Sequence, residues 1–244
     1  MKKLKLIILL LPIFFMTSCT SETDIEALQK KLPFISLPNS TDFTDLSSIE
    51  INIINSVENR IQIVENGEGL YEIVAKSGEE INISENIYDY FNRLVHNTNQ
   101  IALKYRNTKR NRLISRSETD GIALYDCVAY AVYGAGKVDS VETAKKRIGY
   151  AIANKGIPPG DMLKTLGLFG RVEQLNPRAF NQAETFDKPI IAVFRPDAGS
   201  NIGHAVNATR MQQNGHLKCT DYQNGRTEIT IPLGEIYYIY RYLD

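Results

Sequence analysis

Three residue types that often carry function are rare or absent in this 244-residue chain, and this limits the functions it can have. It contains no tryptophan, three cysteines and three histidines, and its formal net charge is zero. Balanced charge, with no basic stripe interleaved with aromatic residues, argues against a nucleic-acid partner. The few histidines and scattered acids have none of the spacings typical of metal sites, so we expect neither a metal nor another cofactor. Thirteen tyrosines and nine phenylalanines can still fill a core, and the length allows one or two domains.

The hydrophobic run at the N-terminus is too short to cross a membrane as a helix. MKKLKLIILLLPIFFMTSC has a basic start, an apolar run and small residues up to Cys19, which is the pattern of a secretory signal. The segment Met16-Thr17-Ser18-Cys19 also resembles the lipobox of bacterial lipoproteins. That resemblance implies that residues 1–18 are a removed signal peptide and that Cys19 carries lipid such as palmitate. The chain would then be anchored to a bacterial membrane outside the cytoplasm, at the outer membrane or cell surface. A plain signal peptide cleaved nearby is the alternative.

Composition divides the rest of the chain into three parts. Residues 19–45 are polar and predict a tether. Residues 46–112 predict an α/β accessory domain or pro-region, with a hairpin around Ser77-Gly78 and a long helix capped by Ser84. Six basic residues between positions 104 and 116 mark the boundary. That boundary is either a solvated loop or a processing site that frees a mature enzyme from a pro-region.

Residues 113–244 show helical patterns first and strand patterns afterwards, which predicts the α+β class. The first helix contains YDCVAYAV and ends at Gly134 or Gly136, and the second is capped by Ser140. A third is entered through Pro158-Pro159. Five strands follow, with hairpin turns at 214–215 and 224–225. The predicted strands are KPIIAVF, HAVNATR, HLKCTDY, TEITIP and IYYIYRYL.

Three residues on these elements can form a catalytic set. Cys127 is predicted at the first turn of a buried helix, where backbone N–H groups and the helix dipole favour a thiolate. His204 is predicted at the start of one strand and Asp221 on the next strand, across the turn at 214–215. Adjacent antiparallel strands place opposed side chains roughly 5 Å apart. The aspartate can therefore orient the histidine, and a thiolate facing the sheet completes nucleophile, base and orienter.

This arrangement resembles the papain-like cysteine peptidase superfamily, in its bacteriocin-leader-peptidase and staphopain-like branches. The resemblance covers about residues 115–244 and is carried by YDCVAYAV, by GHAV after KPIIAVF, and by DYQNG. It implies a papain-like fold in which the nucleophile helix packs on a C-terminal antiparallel sheet, and a peptide or protein substrate. It also implies that Cys127 is the nucleophile, that His204 is the general base and later the acid, and that Asp221 orients the imidazole.

One position departs from that family. A glutamine usually stands six residues before the cysteine and supplies an oxyanion-hole donor, whereas this chain has Gly121 there. The backbone N–H of Cys127 can still serve, with Ser117 or Thr119 as a substitute side chain. The departure motivates a second hypothesis, in which the chain is a catalytically inactive papain-like lipoprotein that binds a partner.

Alternatives remain open at the level of chemistry and of single residues. YDCVAYAVYGAG is also similar to NlpC/P60 cell-wall peptidases, and the His and Asp strands are similar to those of transglutaminase-like proteins, which are further thiol acyl-transfer enzymes. Cys127 and Cys219 could instead form a disulfide, as two cysteines of an exported protein often do. His216, expected to be exposed, is the second choice as base, and Asn224 is the alternative orienter. Asp126 is expected to cap the nucleophile helix, and His96 to be a partly exposed helix residue.

Overall fold

A computed structural model of the chain describes residues 32–114, 126–153, 156–180, 183–196 and 203–244. The expected signal peptide, the lipidation residue Cys19 and most of the tether lie outside these residues. So do Gly121 and its two suggested substitutes, Ser117 and Thr119. No helix in the described ranges is long and apolar enough to span a bilayer.

The N-terminal region begins with a capped helix and a small hairpin. Helix α1 (Ser48–Val57) starts with a reciprocal capping box between Ser47 and Glu50. Strands β1 (Ile63–Glu65) and β2 (Tyr71–Ile73) then pair antiparallel. The predicted hairpin around Ser77-Gly78 is therefore wrong.

The hairpin turn lies earlier because an asparagine side chain closes it. Asn66 Oδ1 accepts from the backbone N–H groups of Glu68 and Leu70, at 3.0 and 3.1 Å, as turn-forming asparagines do. Ser77-Gly78 leads instead into a single 3₁₀ turn at Glu79–Ile81. Gly78 is closely packed there, since a Cβ on it would lie 2.6 Å from the carbonyl oxygen of Ile83.

A 30-residue helix, α2 (Glu85–Ile114), ends the N-terminal region and connects it to the rest of the protein. It continues through the first part of the basic segment, so the solvated-loop alternative for that segment does not hold for residues 104–114. Arginine and lysine have high helix propensity, and the turn-forming residues come only later. Ser84 precedes the helix, but its hydroxyl bonds Leu37 N and Asn86 Oδ1 rather than a first-turn N–H. His96 is exposed, as expected.

Four short helices follow within residues 126–153 and 156–180. Ser140 caps the second of them by accepting from Thr143 N at 3.1 Å. Gly149, with a φ of 94°, ends that helix and divides the single helix predicted there into two. The four are α3 (Cys127–Gly134), α4 (Val141–Ile148), α5 (Tyr150–Ala153) and α6 (Met162–Leu166).

The C-terminal half forms a six-stranded antiparallel sheet, which confirms the α+β class. The strands are β3 (Val172–Leu175), β4 (Glu184–Phe194), β5 (His204–Met211), β6 (His216–Asp221), β7 (Thr227–Pro232) and β8 (Ile236–Tyr242). Their spatial order is β3-β8-β4-β5-β6-β7. All five predicted strands are present, and β3 was missed because it is short and half polar.

The two faces of this sheet are buried by different parts of the chain. One face packs on α3 to α6, where Ile191 and Tyr240 of the sheet meet Val132 and Leu166. The opposite face packs on α2 through Ile101 and Tyr105. Because the earlier part of α2 also belongs to the N-terminal core, this helix is shared by two cores.

Polar bonds hold α2 along the edge strand β7. Thr98 Oγ1 donates to the carbonyl of Thr230 at 2.9 Å and accepts from Thr230 N at 3.1 Å. Asn97 Nδ2 donates to the carbonyl of Glu228 at 2.8 Å. These bonds satisfy and cover backbone groups that a free sheet edge would leave open to other chains.

A buried ion pair makes a second link between the N-terminal region and the sheet. Glu58 accepts from Arg210 Nε and Nη2 at 3.1 and 3.2 Å, and from the backbone N–H of Gln213 at 3.0 Å. Its side chain is 1% exposed. Removal of Glu58 would leave the Arg210 charge without its carboxylate in a largely desolvated position.

We therefore expect Glu58→Ala to lower the free energy of unfolding by about 3 kcal/mol, measured by urea denaturation. Glu173→Ala is the matched control, because the Glu173–Arg241 pair lies on the same sheet with side chains 38% and 40% exposed. That variant should lose less than about 1 kcal/mol. Equal losses for the two variants would show that the buried pair does not tie the two regions together.

Candidate functional site

Cys127 is the first residue of α3, and the residue before it makes an unexpected set of contacts. The carbonyl of Asp126 accepts from Ala129 N and Tyr130 N, which starts the helix. Its carboxylate was expected to cap that helix but forms no such bond. It pairs instead with Lys145 of α4 and accepts from Gln223 Nε2 at 2.6 Å. The capping prediction is wrong because a cationic partner is available, and this pairing offsets the repulsion between Asp126 and a thiolate at the next position.

Close packing fixes α3 against the strand that carries His204. Asn207 Nδ2 of β5 donates to the carbonyl of Ala131 at 2.9 Å. At the end of the helix, Gly134 lets the two elements approach, since a Cβ there would lie 2.4 Å from Asn207 Oδ1 and from a ring carbon of Tyr222. The cysteine helix and the histidine strand are thus held by contacts one to two turns away from the sulfur.

His204 and Asp221 face each other because of the register between β5 and β6. Ala208 pairs with Cys219, and alternate residues of a strand share a face. His204 therefore lies on the face of the sheet that also carries Cys219 and Asp221. His204 Nε2 is 2.7 Å from Asp221 Oδ2, and both side chains are 0% exposed.

The turn after β6 holds the carboxylate in place. Asp221 Oδ1 accepts from the backbone N–H groups of Gln223 and Asn224, at 3.0 and 3.2 Å. Oδ2 accepts from Asn224 Nδ2 at 2.6 Å in addition to meeting His204. Asp221 is thus both a turn-binding acid and the partner of the histidine. Asn224, the alternative orienter, supports Asp221.

These contacts set the charge of the pair. Burial opposes the charged form of His204, but the hydrogen bonds and charges of Asp221 and Cys127 outweigh it and raise the pKa of His204 to about 9. Burial likewise opposes ionisation of Asp221, but the hydrogen bonds and charge of His204, with help from Asn224, hold its pKa below the usual range. Cys127 is among the groups that raise the pKa of His204, so the thiol lies beside the imidazole and the structure brings all three predicted residues together.

The disulfide alternative is not realised. Cys127 and Cys219 are both free and buried. Cys219 lies on the sheet face that packs against α2, and burial raises the pKa of its thiol. Of these two thiols, Cys127 is the one in contact with a histidine, so Cys219 is its natural comparison.

His216, the second choice as base, was expected to be exposed, and this expectation is wrong. It is buried at the start of β6, and its Nδ1 lies 3.0 Å from the carbonyl of Asn214. Burial lowers the pKa of His216. Asp221 ends the same strand, so roughly 17 Å of extended backbone separates the two.

A fourth side chain in the site comes from the N-terminal region. The hydroxyl of Tyr105 on α2 is 2.8 Å from His204 Nδ1, and Tyr105 is 4% exposed. The 3.6-residue spacing of apolar residues along α2 is enough to place Tyr105 on the buried side of the helix. Nothing in the sequence indicated that its hydroxyl would meet a residue 99 positions later.

No protein-family model matches this chain, and a search of the curated proteins found no match either. Within the described residues, no group of three or more His, Cys, Asp or Glu side chains is arranged to hold a metal ion. The geometry therefore defines the site. It consists of a buried cysteine, histidine and aspartate, and a tyrosine hydroxyl that is hydrogen-bonded to the histidine.

The raised pKa of His204 predicts a stability that declines with rising pH. A folded pKa of about 9 against an ordinary value of 6.5 means that the native state binds an extra proton between those values. Protonation of His204 therefore adds about 3 kcal/mol to the free energy of unfolding. This contribution is fully present below pH 6.5 and is lost as the pH rises through 9. We expect the difference in unfolding free energy between the wild type and His204→Ala to shrink between pH 6 and pH 10. A constant difference for His204→Ala would contradict the assignment.

Proposed function

We propose that this chain is a papain-like thiol hydrolase that cleaves peptide bonds through Cys127, His204 and Asp221. One observation carries the proposal. A fully buried His204–Asp221 pair, 2.7 Å apart, interacts with a cysteine at the first turn of a helix. This is the order of nucleophile, base and orienter that thiol acyl transfer requires.

The geometry supports a two-step reaction. The Cys127 sulfur attacks the substrate carbonyl carbon, and the proton held by His204 passes to the leaving amine as the carbon–nitrogen bond breaks. Water then attacks the resulting thioester and gives one proton to His204. The carboxylic acid leaves, and the Cys127 thiolate is restored beside the protonated histidine. Asp221 keeps Nε2 occupied, so that Nδ1 is the nitrogen that exchanges protons. The backbone N–H of Cys127 is the donor that we assign to the oxyanion.

Cys127→Ala should lower hydrolysis of a broad peptide library by roughly 10³-fold or more, because the covalent step is lost. Cys219→Ala should hydrolyse the library at the wild-type rate, since Cys219 is the matched buried thiol without a histidine partner. An epoxide inhibitor of thiol proteases should label Cys127 in the wild type and in the Cys219 variant. Unchanged hydrolysis in Cys127→Ala, or absence of label on Cys127, would refute the proposal and favour an inactive binding protein.

We further propose that the protein works at the cell envelope, held by lipid on Cys19. The lipobox-like sequence at positions 16–19 supports this location. In a bacterial host, Cys19→Ser should move the protein from the membrane fraction to the soluble fraction, as one acyl anchor is lost. Cys219→Ser is the control and should stay in the membrane fraction. Retention of the Cys19 variant in membranes would show that the anchor lies elsewhere.

A further inference from the structure

Two adjacent residues of α2 bond to side chains of the candidate site. The Tyr105 hydroxyl meets His204 Nδ1 at 2.8 Å. Lys104 Nζ donates to Asn224 Oδ1 at 2.5 Å, and the amide of Asn224 donates in turn to Asp221. The N-terminal region thus contacts His204 directly and reaches Asp221 through Asn224.

The Tyr105 hydroxyl lies where the proposed reaction needs open space. Since Nε2 is bonded to Asp221, Nδ1 must give the proton to the leaving amine, which requires an approach of about 2.6–3.2 Å. The phenol oxygen is already at that distance. At neutral pH the protonated ring can donate from Nδ1 to this oxygen, which satisfies His204 without a substrate.

The position of Tyr105 is fixed by the packing of its helix. Its ring belongs to the apolar cluster that includes Ile101 and Phe194. About two turns earlier, Thr98 of α2 is hydrogen-bonded to the backbone of β7. His204 is 0% exposed and Cys127 5% exposed. A peptide must therefore displace the hydroxyl before it can take its place beside the imidazole.

We propose that Tyr105 blocks the site in this state, and that the enzyme becomes active when the part of α2 around Tyr105 moves away from His204. This inference rests on the proposed function. It assigns to the N-terminal region a control of the site through a single hydroxyl group. Loss of that hydroxyl should favour access to Cys127 without removal of any part of the chain.

The test compares wild type, Tyr105→Phe and Tyr88→Phe. Tyr88 is the matched control because it lies on the same helix, is buried, and donates its hydroxyl to the carbonyl of Ala75 at 2.6 Å, away from the site. The measured quantity is the second-order rate of Cys127 alkylation by iodoacetamide at pH 7, with the modified residue identified by mass spectrometry. Peptide hydrolysis by the same variants gives kcat/KM.

We expect Tyr105→Phe to raise both rates about tenfold, since a hydrogen bond to a charged group that keeps the site closed is removed. Tyr88→Phe should leave them unchanged. Slower alkylation in Tyr105→Phe would overturn the blocking role and show that the hydroxyl positions His204. Equal rates in all three proteins would also overturn it.

One further variant separates this inference from the proposed function. His204→Ala should lower the alkylation rate in the wild-type background and abolish the gain seen with Tyr105→Phe. If His204→Ala changes neither rate, the imidazole does not activate Cys127 and the proposed function itself fails. If His204→Ala slows the reaction while Tyr105→Phe has no effect, only the blocking role fails.

Discussion

The hydrogen bond between His204 and Asp221 is the interaction on which the rest of the site depends. Both groups are removed from solvent, and a buried charge is tolerated only when it is paired and hydrogen-bonded. The pair meets that condition through its own contact, through the Asn224 turn, and through the tyrosine hydroxyl on the far ring nitrogen. It also requires the observed register of β5 and β6, because a slip of one residue would turn one partner to the other face of the sheet.

That pair lies at the junction of the two halves of the chain, which explains why α2 matters. The sheet needs cover on both faces, and the helices around Cys127 supply only one. The C-terminal half of α2 supplies the other and brings Lys104 and Tyr105 to the site as it does so. The N-terminal region is therefore part of the second core. Its separation from residues 126–244 would expose an apolar sheet face large enough to promote association.

The sequence was most informative where structure is local. Five strands and two Asn-Gly turns follow from alternation and turn chemistry, and they place His204 near Asp221 across one hairpin. Side-chain choices between competing partners could not be predicted in this way. Asn66 closing the first hairpin and Lys145 taking the carboxylate of Asp126 each depend on which group is close enough in space. Tyr105 is the clearest case, since helix periodicity buries its ring but cannot name the distant residue that its hydroxyl meets.

Gly134 shows how far from the sulfur the chemistry can be lost. The α3 helix and β5 meet there with no room for a methyl group, because an added Cβ would lie 2.4 Å from two neighbouring side chains. Any other residue would push the helix and strand apart by about 1 Å, given the tight packing of protein interiors. A displacement of that size can separate a nucleophile from its base. The reactivity of Cys127 would then depend on a glycine two turns further along its helix, at a position where a Cβ atom does not fit.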